Sequence, residues 1–237
     1  MENIVVGTEF KLQLWNLIKK EIVTILAQDD QIGCSRQDPH NINQIVFASQ
    51  DSIKTADKRS GKQTSSFLAH EDLCLSLSVN PNKLHTVAST GADSCTRIWD
   101  LRKPTSALVC FEDYGHWTSC CNYNQFHDQL LLTGGTSTFA HLYRAQSCSS
   151  LPQQGDLEQT FNMSIDMTER SFRQSVLAST AGTNNAADKL VLRTELEDSV
   201  THVEWSLKDA WVYAAAAHNG TVICGTVPSK EKYRILL

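Results

Sequence analysis

Apolar and polar residues alternate with a period of two along much of the chain. Leu73, Leu75, Leu77 and Val79 are separated by Cys74, Ser76 and Ser78, and Val200, His202 and Glu204 by Thr201, Val203 and Trp205. A period of two sends successive side chains to opposite faces of a sheet, so these segments are predicted strands. Runs such as QLLLTG and VYAAAA are apolar throughout, as expected for inner strands covered on both faces. The Ala214–Ala217 run favours a helix by propensity. Val212-Tyr213 before it and the Asn219-Gly220 turn after it favour a strand. The fold class is all-β.

The strands recur at a fixed interval. The best-formed copy runs from Phe67 to Pro104, FLAHEDLCLSLSVNPNKLHTVASTGADSCTRIWDLRKP. It reads as four short strands separated by turns, with Trp99-Asp100 closing the third strand, the signature of a WD-repeat propeller blade. The closing residues Trp15, Ala56, Trp99 and Tyr143 are 41, 43 and 44 positions apart. A last copy closes at Gly225, 82 positions after Tyr143. The chain is therefore expected to be one propeller domain over residues 1–237. Its first blades occupy 1–145, a polar insertion loop 146–189 and the last blade 190–237.

The best copy carries His70, Ser89, Asp93 and Trp99 at repeat positions. A buried indole N–H needs an acceptor, so these four are expected to form one hydrogen-bonded set within the blade. The other copies are eroded. Glu9, Asp51, Ser137 and Asn219 stand in or beside the Asp position, and His116, Thr133 and Tyr143 are expected to replace His, Ser and Trp in the fourth copy. The second copy has Ala56 for Trp and is one residue short; the last has Ala215 and Gly225. A Ser-His-Asp set invites a hydrolase reading, but no G-x-S-x-G elbow exists.

Composition narrows the function. Of the residues, 41% are hydrophobic and 20% charged, with a formal net charge of −5, so a large basic nucleic-acid surface is not expected. No apolar run approaches ~18 residues, and the first residues lack the basic-then-apolar form of a signal peptide. A cytoplasmic chain without membrane insertion is expected. Cys34, Cys74, Cys95, Cys110, Cys120, Cys121, Cys148 and Cys224 form no C-x-x-C pair, which predicts free thiols and no metal. Without secretion, the sequons at Asn162 and Asn219 carry no weight. Paired catalytic carboxylates and phosphate-binding loops are lacking, so neither enzyme activity, a cofactor nor a small-molecule substrate is expected. The basic cluster Lys54, Lys58, Arg59 and Lys62 reads as a solvated strand-turn face.

Longer runs are more specific than the Trp-Asp pairs. SVNPNK (78–83), NYNQFHDQLLLTGGTS (122–137) and the C-terminal DSV…VEWS…DAW…AAAAHNGTVICGTVPSKEKYRILL resemble the EARP and GARP complex-interacting protein family. The resemblance implies a seven-bladed, non-enzymatic propeller whose partners are vesicle-tethering complexes. These are the endosome-associated recycling protein and Golgi-associated retrograde protein complexes. It also implies a peripheral place at endosomes and the trans-Golgi network, and roles in endosomal recycling, endosome-to-Golgi transport and dense-core vesicle cargo sorting. Family members carry a polar insertion before the last blade, matched here by the stretch after Ala145. An alternative reading rests on Trp99, Asp100 and Arg102, a W-D-x-R box similar to the adaptor-binding motif of cullin-ring ligase substrate receptors.

Length qualifies the fold. At ~42 residues per blade, 237 residues hold fewer than six blades, and the insertion lowers the number to about five. The sequence is thus expected to be an N-terminally truncated member whose first blade lacks its innermost strand. Its expected form is an open arc or a strained smaller ring.

Overall fold

The computed structural model describes residues 3–8, 10–28, 31–112, 114–150 and 188–236. These form five antiparallel sheets in chain order. The first holds β1 (Asn3–Thr8), β2 (Lys11–Asn16) and β3 (Glu21–Gln28). The second holds β4 (Ile32–Gln37), β5 (Gln44–Ser49), β6 (Ser52–Asp57) and β7 (Lys62–Leu68). The third holds β8 (Cys74–Val79), β9 (Thr86–Gly91), β10 (Thr96–Asp100) and β11 (Val109–Phe111). The fourth holds β12 (Thr118–Tyr123), β13 (Leu130–Gly135), β14 (Phe139–Ala145) and β15 (Asp188–Glu195). The fifth holds β16 (Val200–Trp205), β17 (Val212–Ala217) and β18 (Val222–Thr226), followed by helix α1 (Ser229–Leu236).

The core lies between successive sheets. Leu12, Leu14 and Leu26 pack with Ile45 and Phe47 between the first and second. Val46, Ile53, Leu77 and Trp99 fill the next layer, and Val109, Phe111, Tyr123 and Tyr143 the third. Leu130, Leu142, Val200, Val203 and Tyr213 close the fourth layer. Strands buried on both faces need apolar residues at every position, which is why β13 reads LLLTGG and is buried throughout. Among the described residues no buried cluster joins the first and fifth sheets, and Ile4, Val6, Ile22, Val23 and Ile25 of the first are exposed.

The eroded blades keep their volume by moving it to another strand. In the third blade a small residue on the second strand, Ser89, faces a large one on the third, Trp99. In the second blade the sizes are exchanged: Phe47 is fully buried on the second strand and Ala56 stands on the third. In the fifth blade Tyr213 lies across the ladder from Gly225, and a Cβ at Gly225 would meet the Tyr213 ring at 2.3 Å. Close packing tolerates exchanged positions when total volume is kept. The second copy is indeed short: a two-residue turn, Gln50-Asp51, joins β5 to β6, with Gln50 at φ 54°.

The expected bounds of the insertion and the last blade need correction. Residues 190–195 do not open the last blade; β15 pairs with β14 as the outer strand of the fourth sheet, so the insertion lies inside that blade. Leu190 and Leu192 pair with Tyr143 and Leu142 there, and this alternation, rather than proximity to the last copy, selects the sheet. The ends of the insertion are tied together, with the Ser147 N–H and hydroxyl both donating to the Asp188 carboxylate. Residues 151–187, including the Asn162 sequon, lie outside the described residues, as does Glu9. Residues 233–236 are helical. Pro228 presets a helical φ at the start, and the first bonds run from Glu231 N–H and Lys232 N–H to the Pro228 carbonyl. Ile235 then packs on the core of the fourth and fifth blades.

Candidate functional site

The third blade brings His70, Ser89, Asp93 and Trp99 together. The Trp99 indole N–H donates to Ser89 Oγ at 2.9 Å, and Ser89 Oγ lies 2.8 Å from His70 Nε2. His70 Nδ1 lies 2.9 Å from Asp93 Oδ1, and Arg97 completes the set with an ion pair to Asp93. Each donor is used once when His70 carries its proton on Nδ1, leaving Nε2 to accept the Ser89 hydroxyl. Asp93 also accepts the Glu71 and Cys95 backbone N–H groups, fixing both loops at that end of the blade. This is a frame, with its hydroxyl buried and committed at both sides.

Burial alone would raise the Asp93 pKa, but hydrogen bonds from His70 and Arg97 outweigh it and hold the carboxyl well below its ordinary 3.8. A group with a depressed folded-state pKa stabilises the fold above its unfolded pKa and loses that contribution as pH falls through the folded value. The stability gap between wild type and Asp93→Asn should therefore be constant above about pH 5 and shrink below about pH 4. Urea melts at pH 7, 5 and 3 measure it. A gap that widens on acidification would mean that Asp93 is not held ionised.

The fourth blade uses different residues. His116 is exposed and does not enter the blade. Tyr114 takes the expected place: its hydroxyl lies 2.8 Å from Thr133 Oγ1 and its ring stacks on His141 at 4.1 Å. His141 Nδ1 in turn meets the Tyr143 hydroxyl at 3.0 Å. The signal was present as spacing. His70 stands four residues before β8, Tyr114 four before β12 and Leu196 four before β16. The fifth blade thus puts buried Leu196 where the third has His, as expected where Ala215 and Gly225 leave nothing to bond.

A second repeated frame was not anticipated. The first strand of four blades is followed directly by Asp38, Asn80, Asn124 or Ser206. Their side-chain oxygens accept backbone N–H groups two or three residues on, at 2.8 to 3.3 Å, closing the next turn. Cross-blade bonds then link the turns, among them Asn82 Nδ2 to the Phe126 carbonyl at 3.3 Å. His40 Nε2 meets the Asn80 carbonyl at 3.1 Å, Asn80 Nδ2 donates to Asp128 at 3.2 Å, and Asn124 Nδ2 donates to the Ala210 carbonyl at 2.6 Å. The intervals of 42, 44 and 82 between the four residues lie within one residue of those between the closing residues Ala56, Trp99, Tyr143 and Gly225.

Trp99, Asp100 and Arg102 do not make one exposed box. Trp99 is buried, and Arg102 is folded back on Asp100 through Nε at 3.0 Å and Nη2 at 2.7 Å. Arg59 pairs with Asp57 in the second blade, which has no Trp. The Asp-x-Arg arrangement is thus a turn feature of these blades.

All eight cysteines are free. Pairing of β10 with β11 does bring Cys95, Cys110 and Glu112 together, with ligand atoms within 4.8 Å of one another, a grouping hidden by their distance in sequence. Burial pushes the Cys110 thiol up to about 12 and raises Cys95 as well, and the Arg97 guanidinium lies alongside. Protonated thiols beside a cation are poor metal ligands. Among the described residues no helix is long and apolar enough to cross a membrane.

Known proteins resemble this chain in sequence. The family model described as EIPR1 beta-propeller matches residues 4–143. The EARP and GARP complex-interacting protein 1 of Macaca fascicularis is 30% identical over 235 residues, 94% of this chain and 59% of its own length. The EARP-interacting protein homolog of Gekko japonicus is 32% identical over 95% of this chain and 59% of its own. The EARP-interacting protein 1 of Caenorhabditis elegans is 34% identical over 168 residues, 71% of this chain and 43% of its own length. The chain thus spans about three fifths of the first relatives, or less. With five WD-type sheets and a family match over more than half its residues, the chain belongs to the EIPR1 beta-propeller family.

Proposed function

We propose that the chain is a non-enzymatic scaffold that binds the endosome-associated recycling and Golgi-associated retrograde tethering complexes. The observation that carries this reading is family membership together with the names of relatives, which describe them as interacting with those complexes. A propeller supports it physically. Its inter-sheet cores and cross-blade bonds leave turns at both ends presented on a rigid body, which suits a platform for protein partners. In this reading the protein serves endosomal recycling and endosome-to-Golgi transport, and it is held peripherally at endosomes and the trans-Golgi network through its partners.

Affinity purification of the tagged chain with mass spectrometry tests it. Tethering subunits should be enriched over an unrelated propeller of the same size. Their absence under gentle lysis, with circular dichroism showing folded protein, ends the reading.

A further inference from the structure

The two ends of the propeller differ in charge, while exposed large apolar side chains stand at both, with Phe10, Leu68, Trp117 and Val222 at the acidic end. The turns that follow the first and third strands of each blade all lie at one end, because the strands are antiparallel. The four turns after β4, β8, β12 and β16 are each six residues long, and each carries an exposed large apolar side chain. These are Ile42 at 59%, Leu84 at 56%, Phe126 at 49% and Leu207 at 73% exposure. Their strands are the innermost of each blade and pack on one another in sequence, so the four side chains form an arc near the centre of this end.

Around that arc the exposed charge is basic. Lys20, Lys62 and Lys103 stand at the turns between third and fourth strands, Lys208 beside Leu207, and Lys230 on α1. Among the described residues the exposed acids at this end are Glu21, Glu204 and Asp209; Asp57 and Asp100 are half-buried and hold Arg59 and Arg102. The other end presents Glu71, Asp72, Glu112, Glu195 and Glu197. A chain of net charge −5 thus places most of its exposed lysines at one end, with Lys11 and Arg193 exposed toward the other.

An apolar centre with a charged rim is the anatomy of a protein–protein interface. Resting on the scaffold reading above, we infer that this basic end docks an acidic segment of a protein partner, with apolar residues of the segment on the Ile42–Leu84–Phe126–Leu207 arc and its carboxylates on the surrounding lysines. Rim charges of this kind steer encounter and choose partners.

Two measurements test the inference on the full chain. The first is binding of a fluorescein-labelled peptide alternating Asp or Glu with Leu or Phe, beside a Lys-for-acid control peptide and phosphatidylserine vesicles. The second is co-purification of tethering subunits, read by immunoblot. The variants are Lys103→Glu with Lys208→Glu, Leu84→Ser with Phe126→Ser, and, at the other end, Glu71→Lys with Asp72→Lys. All sit on exposed positions, and thermal melts verify folding. The acidic peptide should bind in preference to its basic control. Both variant pairs at the basic end should weaken it roughly tenfold or more, and the pair at the other end should leave it unchanged. Equal binding by all variants, preference for the basic peptide, or vesicle binding without peptide binding would overturn the inference. If subunits co-purify but ignore the basic-end variants, the docking end is wrong and the scaffold reading stands. If the acidic peptide binds there and no subunit co-purifies, the scaffold reading fails and the surface remains.

Discussion

Trp99→Ala is expected to destabilise the protein by about 3–5 kcal/mol, the range for truncating a large buried aromatic side chain. Trp99 fills the layer between the second and third blades, against Val46, Ile53 and Leu77, and its ring lies 5.2 Å from Phe67. Truncation therefore empties a space walled by two sheets, neither of which can close on it without shifting its neighbours. The indole N–H adds a separable contribution. Trp99→Phe keeps most of the packing and removes only the donor to Ser89, so it should cost about 1–2 kcal/mol. Ser89 retains His70 as a partner in that variant, which limits the loss. Urea melts of both variants measure the difference. A loss under about 1 kcal/mol for Trp99→Ala would contradict the burial of this residue between blades.

The fold was legible because a propeller repeats. Four closing residues at near-equal steps reveal a period even where the residues themselves differ, since each copy must bury the same two faces. The frame at His70, Ser89, Asp93 and Trp99 was legible for a related reason: a buried indole and a buried imidazole demand partners at fixed offsets. The replacements were harder to read. Tyr114 does the work of His70 with a different side chain, and a search for histidine selected the nearby His116, which faces solvent. Phe47 in the second blade and Tyr213 in the fifth supply from the second strand the bulk that the third blade takes from its third strand. Only volume connects these residues, and volume is a property of the packed pair. The row formed by Asp38, Asn80, Asn124 and Ser206 has the repeat period but mixed identity, so its common role is visible in the bonds it accepts. The outer strand β15 was missed because a long insertion separates it from its partner β14. The docking end escaped the sequence for a similar reason: its lysines come from turns far apart in the chain.

Loss of the Glu231 carboxylate is expected to have a comparable effect. Glu231 lies on α1 and is buried, with Oε2 at 2.9 Å from Arg144 Nη1 at the end of β14. Lys189 at 3.8 Å and Arg234 at 3.3 Å approach its other oxygen, but both are about half exposed and contribute little. The energetic weight rests on the Arg144 pair, whose side chains are 5% and 6% exposed. Removing one member of such a pair strands a buried charge and costs about 3–5 kcal/mol, whereas replacing both with apolar groups of similar volume is often close to neutral. Glu231→Met and Arg144→Met should each fall in that range, and the double variant should be markedly more stable than the sum of the two losses implies. The pair ties the helix that follows the fifth blade to the third strand of the fourth, so each single variant should also free α1. Amide exchange at residues 229–236 should then accelerate before the sheets open. Additive losses in urea melts, with exchange in α1 unchanged, would show that the helix is held by Ile235 and its apolar contacts rather than by the buried ion pair.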